Sequence, residues 1–259
     1  LQMPTGLQQA FLNSTAQSIE AQGVNHIAEG HGLSYRLNAS GLQANGRDIQ
    51  WGIAFSGMGR GSQIDAVAAP EIVQNGARLD YRRGGVTEWY RDTALGVQQG
   101  FTIQSAPQGK GDVVLRLDLS TDLQGALDQD GRGLSFKAGD GETLRYDHLL
   151  AFDAKGMELQ AGLVIQGSRL LIQVKDDGAA YPLTIDPLIY LEQKQIAVDG
   201  ATNDLFGVSV ALEGDMAVIG AQNAQIGANA KQGAAYVFLR SDTTWSLEEK
   251  LTAADGATN

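Results

Sequence analysis

With 259 residues, no cysteine and a formal net charge of −11, the chain has room for one large or two small domains with ample core, and for no disulfide or thiolate metal site. The acidic balance argues against nucleic acid, whose phosphates need a basic face, and against an anionic membrane surface; no apolar run approaches the ~20 residues of a spanning helix, so no membrane insertion is expected. Glycine is abundant, 33 of 259 residues against an ordinary share of roughly 7%, which favours a turn-rich, all-β chain.

The first residues, 1–5, show neither a basic n-region nor an apolar h-region. Either the protein is not exported, or a signal peptide has been removed and Leu1 is a mature start. Leu7, Phe11, Leu12 and Ile19 recur at roughly helical spacing, and Gly23 is placed to end the run. This predicts one helix over about 7–21, in an N-terminal segment of residues 1–22.

Strand signals dominate from Val24 onward. Leu33, Tyr35 and Leu37 alternate with polar neighbours, and Asn45-Gly46 marks a turn into the run from Ile49 to Phe55. Ala66 to Pro70 reads as a linker, and Asn75-Gly76 as a second hairpin turn. Residues 23–75 are therefore expected to form a β-rich sub-region. From 76 to 190, strands recur about every ten residues. Val113, Leu115, Leu117 and Leu119 alternate with Val114, Arg116 and Asp118, and Leu170, Ile172 and Val174 with Leu171, Gln173 and Lys175. One buried and one solvated face per strand predicts an antiparallel β-sandwich. Pro187, which cannot donate to a ladder, is expected at a strand exit.

From 191 to 259 the chain carries a motif and begins it again. Lys194-Gln-Ile-Ala-Val-Asp-Gly-Ala-Thr-Asn203 returns 56 residues later as Lys250-Leu-Thr-Ala-Ala-Asp-Gly-Ala-Thr-Asn259. Within the period, Phe206, Val208, Val210 and Leu212 alternate, Glu213-Gly214-Asp215 turns, Met216 to Gly220 is a short apolar strand, and Ala234 to Leu239 another. Four short strands per repeat suit a propeller blade. Phe206-Gly207, Gly220-Ala221-Gln222 and Gly233-Ala-Ala-Tyr-Val-Phe238 resemble an FG-GAP repeat, the blade unit of integrin-alpha-type β-propellers. The form is similar to that of large bacterial surface proteins in which a β-rich leader precedes such repeats. Tyr81-Arg-Arg-Gly84, Glu88-Trp-Tyr90 and Tyr181-Pro-Leu-Thr-Ile-Asp-Pro187 resemble that leader more loosely. The resemblance implies an extracellular or cell-surface location with a signal peptide already removed.

Blades of this family often hold calcium in an acidic loop between the Phe-Gly and Gly-Ala strands. Here that place holds only Glu213-Gly214-Asp215, too short for the six or more oxygens calcium takes. Asp199, Asn203 and Asp204, in the neighbouring turn, are the metal-ligand candidates; the competing reading is that they shape the turn through their own backbone. Asp128-Gln-Asp130-Gly131 resembles the opening of a calcium loop but has no closing acid, and reads as a hairpin turn. His26, Glu29 and His31 would need a further convergent ligand to hold zinc. Glu88, Trp89, Tyr90 and Asp92 invite comparison with a glycosidase acid beside an aromatic platform. The simpler reading packs Trp89 and Tyr90 in the core with Glu88 and Arg91 outward. No nucleophile elbow, zinc-protease or phosphate-loop motif is present.

The sequence thus points to an all-β, non-catalytic extracellular structural or adhesion protein with no cofactor. It acts through sheet surfaces, by self-association or on a cell-surface or matrix protein. A carbohydrate-active or enzyme-accessory module and a calcium-dependent binding module are the alternatives. A closed propeller takes at least about four blades, so the single repeat is expected to be completed by further blades, by docking onto the sandwich or by another subunit.

Overall fold

A computed structural model describes residues 19–258, apart from 23–24, 31, 94, 140–141, 193 and 242–243. Among the described residues there are 21 strands and no helix. The chain divides into two units, Leu1–Gln193 and Lys194–Asn259.

In the first unit the chain passes back and forth between two antiparallel sheets. It begins with β1 (Glu20–Gln22), β2 (Asn25–Gly30), β3 (Leu33–Asn38), β4 (Gly41–Asn45), β5 (Gln50–Arg60) and β6 (Gln63–Ala66). Residues 67–70 then cross to the other sheet, where β7 (Glu71–Asn75), β8 (Arg78–Arg83), β9 (Val86–Thr93) and β10 (Gly96–Ile103) form a meander. β11 (Val113–Thr121) returns to the first sheet, and β12 (Gly125–Leu127), β13 (Leu134–Lys137) and β14 (Thr143–Phe152) join the second. The hairpin of β15 (Ala161–Gln166) and β16 (Arg169–Val174) goes back to the first, and β17 (Leu183–Glu192) ends in the second. The larger sheet runs β1-β2-β3-β4-β5-β11-β16-β15 with β6 beside β5; the smaller runs β12-β13-β14-β17-β10-β9-β8-β7.

The alternation seen in the sequence builds one core between these sheets. Leu33, Tyr35 and Leu37 of β3, Leu115 and Leu117 of β11, and Leu170, Ile172 and Val174 of β16 are buried in it. Aromatic pairs join the layers edge to face: Trp51 on Phe136 at 5.7 Å and Phe55 on Phe101 at 5.1 Å between ring centroids. Such pairs add about 0.5–1.5 kcal/mol each beyond the area they bury. Residues 75 and 76 lie at the turn of the β7–β8 hairpin. The stretches 23–75 and 76–190 therefore interleave in one sandwich.

Two local expectations are corrected. The helix over 7–21 falls mostly outside the described residues, but Glu20 and Ala21 lie in β1, paired with Ile27 and His26. A neighbouring strand offers their backbone a ladder there. Pro187 is not a strand exit. It sits inside β17, where the ladder to β14 shifts register between Asp147 and Leu150. On the β10 side the register names no partner between Ile185 and Leu188. The missing N–H of proline falls where pairing is already interrupted, as a bulge allows.

The second unit is a four-stranded antiparallel meander: β18 (Phe206–Glu213), β19 (Met216–Ala221), β20 (Ala234–Ser241) and β21 (Thr244–Leu251), in that order. Its core is small. Ala217, Ile219, Ala221, Ala224, Tyr236 and Phe238 are buried, with Phe206 and Trp245 packed against them.

Candidate functional site

The face of the second unit begins at β18. Phe206 pairs with Ala221, Val210 with Ile219 and Leu212 with Ala217. Cross-strand partners share a face, so these three residues extend the face that carries the small core. Val208 does not continue the row. The register shifts between Phe206 and Ser209, and Gly207 takes φ +87°, a left-handed conformation that suits glycine. Val208 falls inside this bulge. Phe206 is held by Tyr236 at 5.3 Å and Phe238 at 6.3 Å, both edge to face.

Beyond Phe206 the core-side face is uncovered. Val210 is 63% and Leu212 67% exposed, although both point to the buried side of their sheet. Val208, Leu205, Ile196 and Val198 are exposed as well. A hollow of about 440 Å³ lies against this face, walled by Ile196, Ala197, Phe206, Val210 and Ile219 among others. This exposed apolar face is the candidate interaction surface. β18 is also an edge strand, so one row of its backbone groups is available for pairing.

The proposed metal ligands are drawn into fixing turns. Asp199 accepts from Tyr236 Oη at 2.9 Å and from Lys250 Nζ at 2.5 Å, and the ammonium stands 5.0 Å over the Tyr236 ring. The Lys250 and Tyr236 hydrogen bonds hold the Asp199 carboxyl below its ordinary range. Asp204 Oδ2 accepts from the Ala201 N–H at 2.8 Å, and its carbonyl accepts from the Asn223 N–H at 3.1 Å. The Asn203 carbonyl accepts from Asn223 Nδ2 at 3.2 Å, and Asn203 sits at φ +74°. Among the described residues no three His, Cys, Asp or Glu side chains are grouped to hold a metal ion.

The repeat itself reappears as geometry. The Gly200 N–H donates to the Ala197 carbonyl at 3.0 Å, and 56 residues on the Gly256 N–H donates to Ala253 at 3.2 Å. The second copy of this turn is clasped by the Gly/Asn/Gln-rich loop that precedes it. Asn229 Nδ2 donates to the Gly256 carbonyl at 3.1 Å, and Gln232 Nε2 to that of Ala253 at 2.9 Å. For the first copy the positions 56 residues before Asn229 and Gln232 are Gln173 and Asp176. They belong to the sandwich unit, where Asp176 pairs with Arg60 at 2.6 Å. Sequence reading missed this clasp; the 56-residue period was the signal that could have found it.

Glu88, Asp128 and Asp130 of the sandwich are likewise committed. Glu88 does not face outward. It is fully buried and accepts from Tyr90 Oη at 2.5 Å, Arg83 Nη1 at 2.7 Å and Gln99 Nε2 at 2.9 Å. Tyr146 Oη donates to Gln99 Oε1 at 2.9 Å and closes the network. Burial, with the Glu88 charge beside it, pushes the Tyr90 phenol well up, so it stays a donor. Trp89 and Arg91 take the opposite face. The Trp89 ring lies over Gly100, flanked by the guanidinium groups of Arg78 at 5.4 Å and Arg91 at 5.8 Å. Asp128 bonds Arg145, and Asp130 Oδ1 accepts from the Arg132 N–H at 3.0 Å in a turn with Gly131 at φ +68°. His31 lies outside the described residues.

A model of the FG-GAP repeat family matches residues 190–238. No curated protein matches the chain. Among solved structures it is similar to a mutant heparan sulfate lyase HepC from Pedobacter heparinus, at 9% identity and a TM-score of 0.42, over 92% of this chain and 42% of that one. It is also similar to a mutant family 81 glycoside hydrolase from Clostridium thermocellum, at 11% identity and a TM-score of 0.35, over 91% of this chain and 31% of that one. The chain thus spans less than half the length of either.

Proposed function

We propose that this chain is a non-catalytic structural or adhesion protein of the cell exterior, which acts by stacking its FG-GAP unit against further units of the same repeat. The carrying observation is the turn that occurs twice. Its second copy is clasped by Asn229 and Gln232 of the preceding repeat. Its first copy has no preceding repeat in this chain, and it borders the open apolar face of Phe206, Val210 and Leu212. A preceding repeat would bring both the clasp and the cover; a second copy of this chain, whose Asn229 and Gln232 already hold its own Gly256 and Ala253, would bring the cover. Burying an exposed Val or Leu side chain stabilises by roughly 1.5–3 kcal/mol, and the face offers several.

Sedimentation velocity tests the reading. The 259-residue chain should associate as its concentration rises, while Val210→Glu with Leu212→Glu should sediment as a monomer. A wild-type chain that stays monomeric at high concentration would defeat it.

A further inference from the structure

A second site lies on the sandwich. Where β4, β5 and β11 run side by side there is a groove of about 310 Å³, walled by Gln43, Asn45, Gln50, Ser120, Thr121 and Asp122. The register gathers them: Gln43 and Ser120 flank Gly52 on either side, and Asn45 faces Gln50. Gly52 lets the Ser120 side chain lie across it, since a Cβ there would come within 2.4 Å of Ser120 Oγ. Trp51 also lines the groove. It is 2% exposed, yet its indole N–H has no hydrogen-bond partner among the described residues. Buried indole N–H groups ordinarily have one. Thr121 and Asp122 are shared with a neighbouring hollow of about 540 Å³, whose walls include Leu123, Phe136 and Ile165.

We propose that this double groove binds a neutral oligosaccharide. Three carboxamides, the Ser120 hydroxyl and one carboxylate provide donors and acceptors together, which the vicinal hydroxyls of a sugar satisfy in both directions, while the Thr121 hydroxyl is held by the Gln50 carbonyl and the Leu123 N–H. The apolar walls of the second hollow take the C–H face of a ring. No Lys, Arg or His lines either hollow. A phosphate, sulfate or uronate would meet Asp122 with no counter-charge, on a chain of net charge −11. The two volumes lie within the range of roughly 300–1,000 Å³ usual for small-ligand sites.

The test is isothermal titration of the full chain with cellohexaose, maltohexaose, xylohexaose and mannohexaose, and with hexagalacturonate as the charged control. At least one neutral hexaose should bind saturably, and hexagalacturonate should not. Gln43→Ala with Asn45→Ala changes two exposed side chains, so the melting temperature should hold. Affinity should fall roughly tenfold for the two hydrogen bonds lost. Absence of heat with every neutral hexaose up to about 10 mM, a range that reaches weak sites, overturns the proposal. So does equal binding of hexagalacturonate, or unchanged affinity in the folded double variant.

Discussion

Glu88 shows how much a single residue depends on its neighbours. Removing it would leave the Arg83 guanidinium, which is only 4% exposed, without its counter-charge and the Tyr90 hydroxyl without its acceptor. Glu88→Ala should therefore cost about 3–5 kcal/mol, the usual loss when one partner of a buried pair is removed. Arg83→Met with Glu88→Leu should cost less, because no charge stays unpaired; urea denaturation of the two variants checks the order. The inward turn of Glu88 was legible in part: it alternates with Val86 and Tyr90, and that period outweighs the habit of placing acids in solvent. What the sequence could not show is Arg83 arriving from the neighbouring strand. Asp176 makes a pH-dependent contribution. The Arg60 hydrogen bond, assisted by that of Tyr181, holds its carboxyl below the ordinary 3.8. A depressed folded value gives stability that is present above the unfolded pKa and is lost as pH falls through the folded one. Arg60→Met should thus be destabilising at pH 7, and the gap to wild type should shrink below about pH 4, as acid titrations of unfolding would show.

At the scale of elements, alternation carried most of the fold. β3, β11 and β16 lie inward as their sequences indicate, because a period of two admits one buried set per strand. Interruptions of that period were not legible. The Phe206–Ser209 bulge removes Val208 from its row, and Pro187 lies within a strand instead of after it; both depend on the register of a partner strand. Gly100 of β10 is a third case. It is mid-strand in β10, and the Trp89 ring occupies the place of a side chain. A Cβ at Gly100 would stand 2.0 Å from Trp89 Cζ2, and the ring is held by Arg78, Arg91 and a bond from its Nε1–H to Thr102 Oγ1 at 3.2 Å. Gly100→Ala should destabilise by about 1–3 kcal/mol through overpacking, despite the better strand propensity of alanine. Thermal unfolding with tryptophan fluorescence reads both the loss and the displaced ring.

For the whole molecule, charge and apolar surface pull in opposite directions. A net charge of −11 makes two copies repel at long range, over about 10 Å at 0.1 M salt. The open face of β18 attracts only at contact. Stacking should therefore strengthen as salt rises, the reverse of an association held by ion pairs. It should also feed back on stability. The Lys194–Asn259 unit has a core built largely on three alanines, an isoleucine and two aromatics, and a unit of this size is marginal when it stands alone. Anything that binds the folded form and not the unfolded one raises apparent stability by mass action. The unfolding temperature of this unit, followed by amide exchange in β19 and β20, should then climb with protein concentration, and climb further in 0.5 M sodium chloride, where screening shortens to roughly half its 0.1 M range. In Val210→Glu with Leu212→Glu both dependences should vanish, since added carboxylates remove the contact and extend the repulsion. A melting temperature independent of concentration in the wild type would mean that the β18 face is not covered by a second copy.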